Sequence, residues 1–286
     1  MDTLIHRYYL YSGEKNKIED YHLSSFFEYC VFNDGILYLG VKGFEFDDSI
    51  LDEEKSPDEN LSESELRNRI TWRCWFDNVQ KLHNSNLLKG IIIDLRNNGG
   101  GRVNNYQYVI GALQESDLDS SEKGWGKMKV LGSIRQKNGV GRFDYSPFVP
   151  HYVPIYNKEH AIINEPVVVL TNCWTGSMAE ISCLGAKELG NSCLIGTRTS
   201  GLFGPLIDDN GKDHYTRIWS GSVGDSKEEP FYIRMPYCAF ISLNGEFLEG
   251  EGIKPDIAVQ LDTSLYDNTG RDNQLERALE YIRTGK

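Results

Sequence analysis

Apolar residues fall into three short unbroken runs and several helical stripes. The runs are Gly90-Ile91-Ile92-Ile93-Asp94-Leu95, Pro166-Val167-Val168-Val169-Leu170 and Cys193-Leu194-Ile195-Gly196. Runs without polar alternation read as strands buried on both faces, as in a parallel sheet. Trp72, Trp75, Phe76, Val79 and Leu82 lie at offsets 0, 3, 4, 7 and 10, which is one helical face. Ser62, with Glu65 three residues on, supplies a capping box before that face, and Lys89-Gly90 is expected to end the helix. Further helices are expected around Val103–Leu113 and over Ser177–Leu189, the latter closed by Gly190. A last helix, capped at Asp272, buries Leu275, Ala278, Leu279 and Ile282. Asn33-Asp34-Gly35 reads as a hairpin turn, as does Asn138-Gly139 between Met128–Ser133 and Val140–Tyr145. Phe231–Leu243, followed by Asn244-Gly245, reads as another hairpin. Strands separated by helices imply right-handed βαβ crossovers, hence an α/β fold with added β-hairpins.

The first 27 residues are polar and aromatic, with weak periodicity. Residues 1–29 are therefore expected to be a separate N-terminal segment, either a stray strand or the remnant of an upstream domain, ahead of one core domain over 30–286. From Glu45 to about residue 62 the chain is strongly acidic, which suits a solvated loop or a docking surface for a basic partner. The whole chain has 286 residues, 40% hydrophobic and 25% charged, which is globular and not disordered. Its formal net charge of −12 and the lack of a basic patch argue against nucleic-acid binding. The longest apolar runs are far too short to span a bilayer. Met1-Asp2-Thr3-Leu4 does not open a secretion signal, so the chain is expected to be cytoplasmic or a piece whose leader was removed. Six cysteines without C-x-x-C spacing read as small core residues, and no His/Cys pair has the spacing of a zinc site.

Two loops carry candidate chemistry. Asp94-Leu95-Arg96-Asn97-Asn98-Gly99-Gly100-Gly101 follows a buried strand, where α/β folds place ligands. Its glycines can turn backbone N–H groups toward a developing oxyanion, although a plain tight turn fits as well. A phosphate cradle would need a Gly-Lys-Ser/Thr ending, which is absent. Asn172-Cys173-Trp174-Thr175-Gly176-Ser177-Met178-Ala179-Glu180 also follows a buried strand and opens a helix. There Ser177 is either a nucleophile at the positive end of the helix dipole or an N-cap boxed by Glu180. Both loops lie at strand carboxyl ends, so they are expected to meet at one edge of the sheet.

In order and wording these segments resemble the tail-specific (C-terminal-processing) serine peptidases, which are related to the tricorn core. The resembling segments are Asp94–Gly101, Val167–Glu180, Leu194–Gly201, Glu249–Ile257 and Asn273–Leu279, together with Asn33–Phe44. The resemblance covers roughly Cys30 to Arg283 and implies a crotonase-like core. It further implies that Ser177 is the nucleophile and that Gly100 and the Met178 amide form the oxyanion hole. It implies no metal and no organic cofactor. The implied partner is a peptide or protein, cut near its C-terminus.

The match breaks at the general base. The processing branch places a lysine on the loop after the third buried run, and Leu202 stands there instead. Glu188, where that branch carries an acidic helper, is then expected to face solvent. The tricorn-like branch uses a histidine oriented by a glutamate, and Glu249 resembles that glutamate, although it also reads as the anchor of a turn. None of His6, His22, His83, His151, His160 and His214 has the context of the missing histidine. Two other readings stand beside the peptidase: a degenerate member that binds peptides or apolar ligands without cleaving them, and a crotonase-type acyl-CoA enzyme. The lack of a basic cluster for the CoA phosphates counts against the latter. The resemblance points to the cell envelope or periplasm, while unpaired cysteines suit a reducing setting.

Overall fold

Each buried run is continuous because each strand is covered on both faces. The computed structural model describes residues 18–51, 57–119, 126–136, 144–156, 163–204 and 238–286. In chain order its elements are β1 (Ile18–Leu23), β2 (Phe27–Phe32), β3 (Ile36–Val41), α1 (Glu63–Asn84), β4 (Gly90–Asp94), β5 (Leu118–Asp119), β6 (Lys127–Gln136), β7 (Val149–Pro154), β8 (Val167–Thr171), α2 (Met178–Lys187), β9 (Ser192–Gly196), β10 (Cys238–Ser242), β11 (Ile257–Ala258), α3 (Thr263–Thr269) and α4 (Asn273–Thr284). The fold is mixed α/β.

A seven-stranded sheet runs in the order β1-β2-β3-β4-β8-β9-β11. The hairpin turn at Asn33-Asp34-Gly35 joins β2 to β3, and from β3 onward the strands are parallel. The division expected after residue 29 falls inside β2, which pairs with both β1 and β3. Alternate residues of β4 serve opposite faces. Ile91 and Ile93 pack with Trp72, Trp75 and Phe76 of α1, whereas Ile92 packs with Leu275, Leu279 and Ile282 of α4. The capping box at Ser62 and Glu65 is formed, with the Ser62 N–H donating to the Glu65 carboxylate at 2.8 Å.

Three expectations are corrected. The segment Val103–Leu113 forms two 3₁₀ turns, Val103–Tyr108 and Gly111–Leu113, instead of an α-helix. Tertiary hydrogen bonds draw it out of an α ladder. The Trp72 indole N–H takes the Tyr108 carbonyl at 2.7 Å, and the Asn105 amide reaches the Phe44 and Phe46 carbonyls at 2.9 Å each. Strand β6 pairs with β7, and at the near end of that pair the Ser146 hydroxyl and N–H bracket Gln136, while residues 140–143 of the expected partner arm lie outside the described residues. The Asn138-Gly139 turn lies outside the described residues. Strand β10 pairs with β6, and beyond the Asn244-Gly245 turn only the single bridge Ile241–Phe247 forms. Helix α1 ends at Asn84, and Gly90 instead opens β4. The short helix α3 went unforeseen, for it buries no side chain and so leaves no apolar stripe. No helix among the described residues is long and apolar enough to cross a membrane.

Candidate active site

Strands β4, β8 and β9 are neighbours and parallel, so the loops at their carboxyl ends converge. Asn98 fastens the glycine loop. Fully buried, it donates its side-chain N–H to the Val41 carbonyl at 2.9 Å, accepts the Gly100 N–H at 2.9 Å, and offers its backbone carbonyl to the Gly176 N–H at 2.9 Å. Asn97 and Asn172 bind each other reciprocally, at 3.0 and 2.9 Å, across the two loops. The Thr175 hydroxyl adds a bond to the Leu95 carbonyl at 2.9 Å.

Ser177 sits immediately before α2 with φ 51° and ψ −121°, a conformation costly for any residue bearing a Cβ. It is arranged as in a capping box, yet the Glu180 N–H is taken by the Ser177 carbonyl at 2.8 Å, and the hydroxyl makes no cap hydrogen bond. The Met178 N–H opens the helix and has no hydrogen-bond partner among the described residues. Gly100 faces both groups. A Cβ on Gly100 would lie 2.6 Å from the Ser177 Cβ and 2.7 Å from the Met178 nitrogen. Ser177, Met178 and Gly100 are therefore brought together, as expected from the sequence. The Gly100 N–H, however, already donates to Asn98.

Glu180 was legible only as a local cap. It is fully buried and binds residues 199–202, just after β9. Its carboxylate accepts from the Thr199 hydroxyl at 2.6 Å, the Gly201 and Leu202 N–H groups at 2.8 Å each, and the Ser177 N–H at 3.2 Å. Burial raises its pKa, and these donors pull it back in part. The Ser177 N–H also donates to the Leu202 carbonyl at 2.9 Å. Leu202 therefore stands beside Ser177 by its backbone, with an exposed side chain that cannot take a proton.

Glu249 is placed one step further out. Its carboxylate accepts from the Phe203 and Gly204 N–H groups at 3.0 and 2.7 Å, which is the turn-anchoring role. Burial raises its pKa, the two backbone donors lower it, and the nearby Glu180 charge raises it further. Among the described residues no histidine is hydrogen-bonded to it. His22 pairs with Asp20 at 3.1 Å and His83 with Glu165 at 3.0 Å. His151 packs edge-on against Phe240, which stacks on Phe203, so two aromatic rings separate it from the Glu249 turn. His6, His160 and His214 lie outside the described residues. Glu188 is exposed, as expected. Cys30, Cys183, Cys193 and Cys238 are buried, whereas Cys173 is exposed in the Ser177 loop. Among the described residues no cluster of His, Cys, Asp or Glu is arranged to hold a metal ion.

Burial lowers the His151 pKa from 6.5 to about 4. A depressed pKa stabilises the folded chain above the unfolded value, and that contribution is lost as pH falls. Acid should therefore cost the protein on the order of 3 kcal/mol between pH 6.5 and about 4 through this one group. Urea unfolding across that range should show the slope, and His151→Gln should flatten it. An unchanged slope in the variant would assign the acid sensitivity to other groups.

The match to known proteins covers this same region. Residues 62–259 match the model of Peptidase family S41. The tricorn protease of Thermoplasma volcanium is 28% identical over 193 residues, which is 68% of this chain and 14% of that protein. The carboxy-terminal processing protease CtpA of Bacillus subtilis is 27% identical over 175 residues, 60% of this chain and 29% of that one. The chain thus spans less than a third of the length of these curated relatives. Among solved structures, one from Parabacteroides merdae aligns with a TM-score of 0.62 at 20% identity, covering 96% of this chain and 70% of that chain. Mature CPAF complexed with lactacystin aligns at 0.57 and 12% identity, covering 93% and 58%. At such identities these two show a shared fold alone. The resemblance to tail-specific and tricorn-type peptidases is borne out, and with more than half of its length matched by the family model the chain belongs to peptidase family S41.

Proposed function

We propose that this chain is the core of a serine-type peptidase in which Ser177 attacks a peptide carbonyl. One observation carries the reading: a serine in a strained conformation at a helix mouth, its hydroxyl free of capping, with the Gly100 backbone packed against it and the Met178 N–H unused. The Met178 N–H is the principal oxyanion donor, aided by the helix dipole. The Gly100 amide is the second donor, and it shares its proton with Asn98. A base takes the hydroxyl proton during attack and returns it to the leaving amine, after which water releases the acyl group. Glu249 orients that base, a histidine contributed from outside the described residues. The core is of the crotonase-like kind, and the substrate is a peptide cut near its C-terminus, as in the relatives named for that activity.

A second reading is favoured by one feature. Glu249 spends its carboxylate on two backbone N–H groups, as a purely structural anchor would. In that case the chain binds peptide without cleaving it. Fluorophosphonate labelling separates the two. A covalent adduct that maps to Ser177 and vanishes in Ser177→Ala is the expected result. Equal labelling of both proteins removes Ser177 as the nucleophile, and labelling of neither supports the binding module.

A further inference from the structure

Two large apolar side chains stand in water beside Ser177. The Trp174 residue is 70% exposed and Leu202 is 61% exposed. Neither belongs to a loose segment. The Trp174 N–H donates to the Asn172 Oδ1 at 3.1 Å, and Asn172 is itself paired with Asn97. Leu202 is held at both backbone groups, its N–H on Glu180 and its carbonyl on the Ser177 N–H. The two loops are joined between these residues, for the Thr175 carbonyl accepts both the Ser200 N–H and the Ser200 hydroxyl at 2.9 Å.

Surface tryptophan and leucine on rigid loops are poor choices unless something covers them, because each leaves apolar area in water. Here both are tied by short hydrogen-bonded paths to the one residue at the helix mouth. They carry no charge. From this we propose that Trp174 and Leu202 form two walls of a subsite that grips a bulky apolar side chain of the peptide lying across Ser177. The inference rests on the reading of Ser177 as the nucleophile and names what selects the substrate. An acidic or amide side chain entering the same place would lose water and gain no partner. Trp174 would supply a flat ring face and Leu202 an aliphatic edge, which together suit an aromatic or long aliphatic residue.

The test uses the full chain as Ser177→Ala, so that binding is read without turnover. Two blocked peptides serve as probes, N-acetyl-Ala-Ala-Phe-Ala-amide and its counterpart with Asp in place of Phe. Titration calorimetry should show the Phe peptide binding about ten-fold or more tightly than the Asp peptide. Adding Trp174→Ala or Leu202→Ser should weaken the Phe peptide by about five-fold each, leave the Asp peptide unchanged, and keep the melting temperature of the parent. Equal binding of the two peptides, or a preference that survives both substitutions, overturns the subsite. Fluorophosphonate labelling of the protein with Ser177 intact is read in parallel. An adduct without any peptide preference sinks the subsite alone, whereas a preference without an adduct sinks the hydrolytic reading alone.

Discussion

Gly100→Ala should abolish fluorophosphonate labelling of Ser177 and destabilise the chain by about 4 kcal/mol, the sum of left-handed strain and overpacking. The new methyl group would meet the Ser177 Cβ at 2.6 Å, the Met178 nitrogen at 2.7 Å and the Gly176 carbonyl oxygen at 2.8 Å. None of these can swing aside, since all three belong to backbone or to a Cβ fixed by it. The residue also sits at φ +98°, where a side chain adds strain whatever the space. Relief would come only by moving the glycine loop away from the helix mouth, which separates the hydroxyl from the proposed oxyanion donors. Gly99→Ala is the internal control. A Cβ there meets nothing within 4 Å, so labelling and stability should stay near those of the parent. Chemical denaturation and probe labelling of both variants check the pair. Normal labelling in Gly100→Ala would mean that the close approach between the two loops has no part in activating Ser177.

The parts of the fold that were legible in sequence are those governed by short-range periodicity. Strands β4, β8 and β9 announce themselves because both faces are buried, so apolar residues run through each without alternation. Helices α1 and α4 are legible because one stripe is apolar and a side chain caps each start. The site was legible as two loops at strand ends, and Ser177, Met178 and Gly100 do meet. What stayed hidden is non-local. Val103–Leu113 was expected as a helix, but Trp72 captures its Tyr108 carbonyl and its Asn105 side chain reaches the distant Phe44 and Phe46 carbonyls, and it forms 3₁₀ turns. Glu180 looks like a cap three residues from Ser177, while its main partners lie 19 to 22 residues downstream. A Ser-x-x-Glu box whose glutamate lies among Met178, Ala179, Ile181, Cys183 and Leu184 was the available signal, since a mere cap has no need of burial. The general base of the proposed mechanism leaves no trace, because a histidine could be brought to Glu249 from any part of the sequence.

The second large effect concerns Arg96, whose side chain is almost wholly buried. Its guanidinium forks onto Asp94, with bonds of 2.9 Å from Nε to Oδ1 and 2.6 Å from Nη2 to Oδ2, and its Nη1 lies 2.8 Å from the Asp272 carboxylate. Burial works against the guanidinium charge, but Asp94 and Asp272 outweigh it and keep the group protonated. Asp272 is also the N-cap of α4, accepting from the Gln274 and Leu275 N–H groups at 3.0 Å each. One cation therefore ties the end of β4, from which the glycine loop departs, to the start of the C-terminal helix. Arg96→Ala leaves two buried carboxylates facing each other without a counter-charge, a change that costs about 3–5 kcal/mol. Arg96→Lys keeps the charge but loses the fork, so its loss should be smaller. Because the burden is the unpaired charge and not the missing contact, adding Asp94→Asn and Asp272→Asn to Arg96→Met should recover much of the stability. Urea midpoints of the four proteins give the ordering. If Arg96→Ala unfolds within about 1 kcal/mol of the parent, the triad is not what fastens α4 to the sheet. The helix would then be held mainly by the packing of Leu275, Ala278, Leu279 and Ile282, with polar ties such as Arg283 to Asp34.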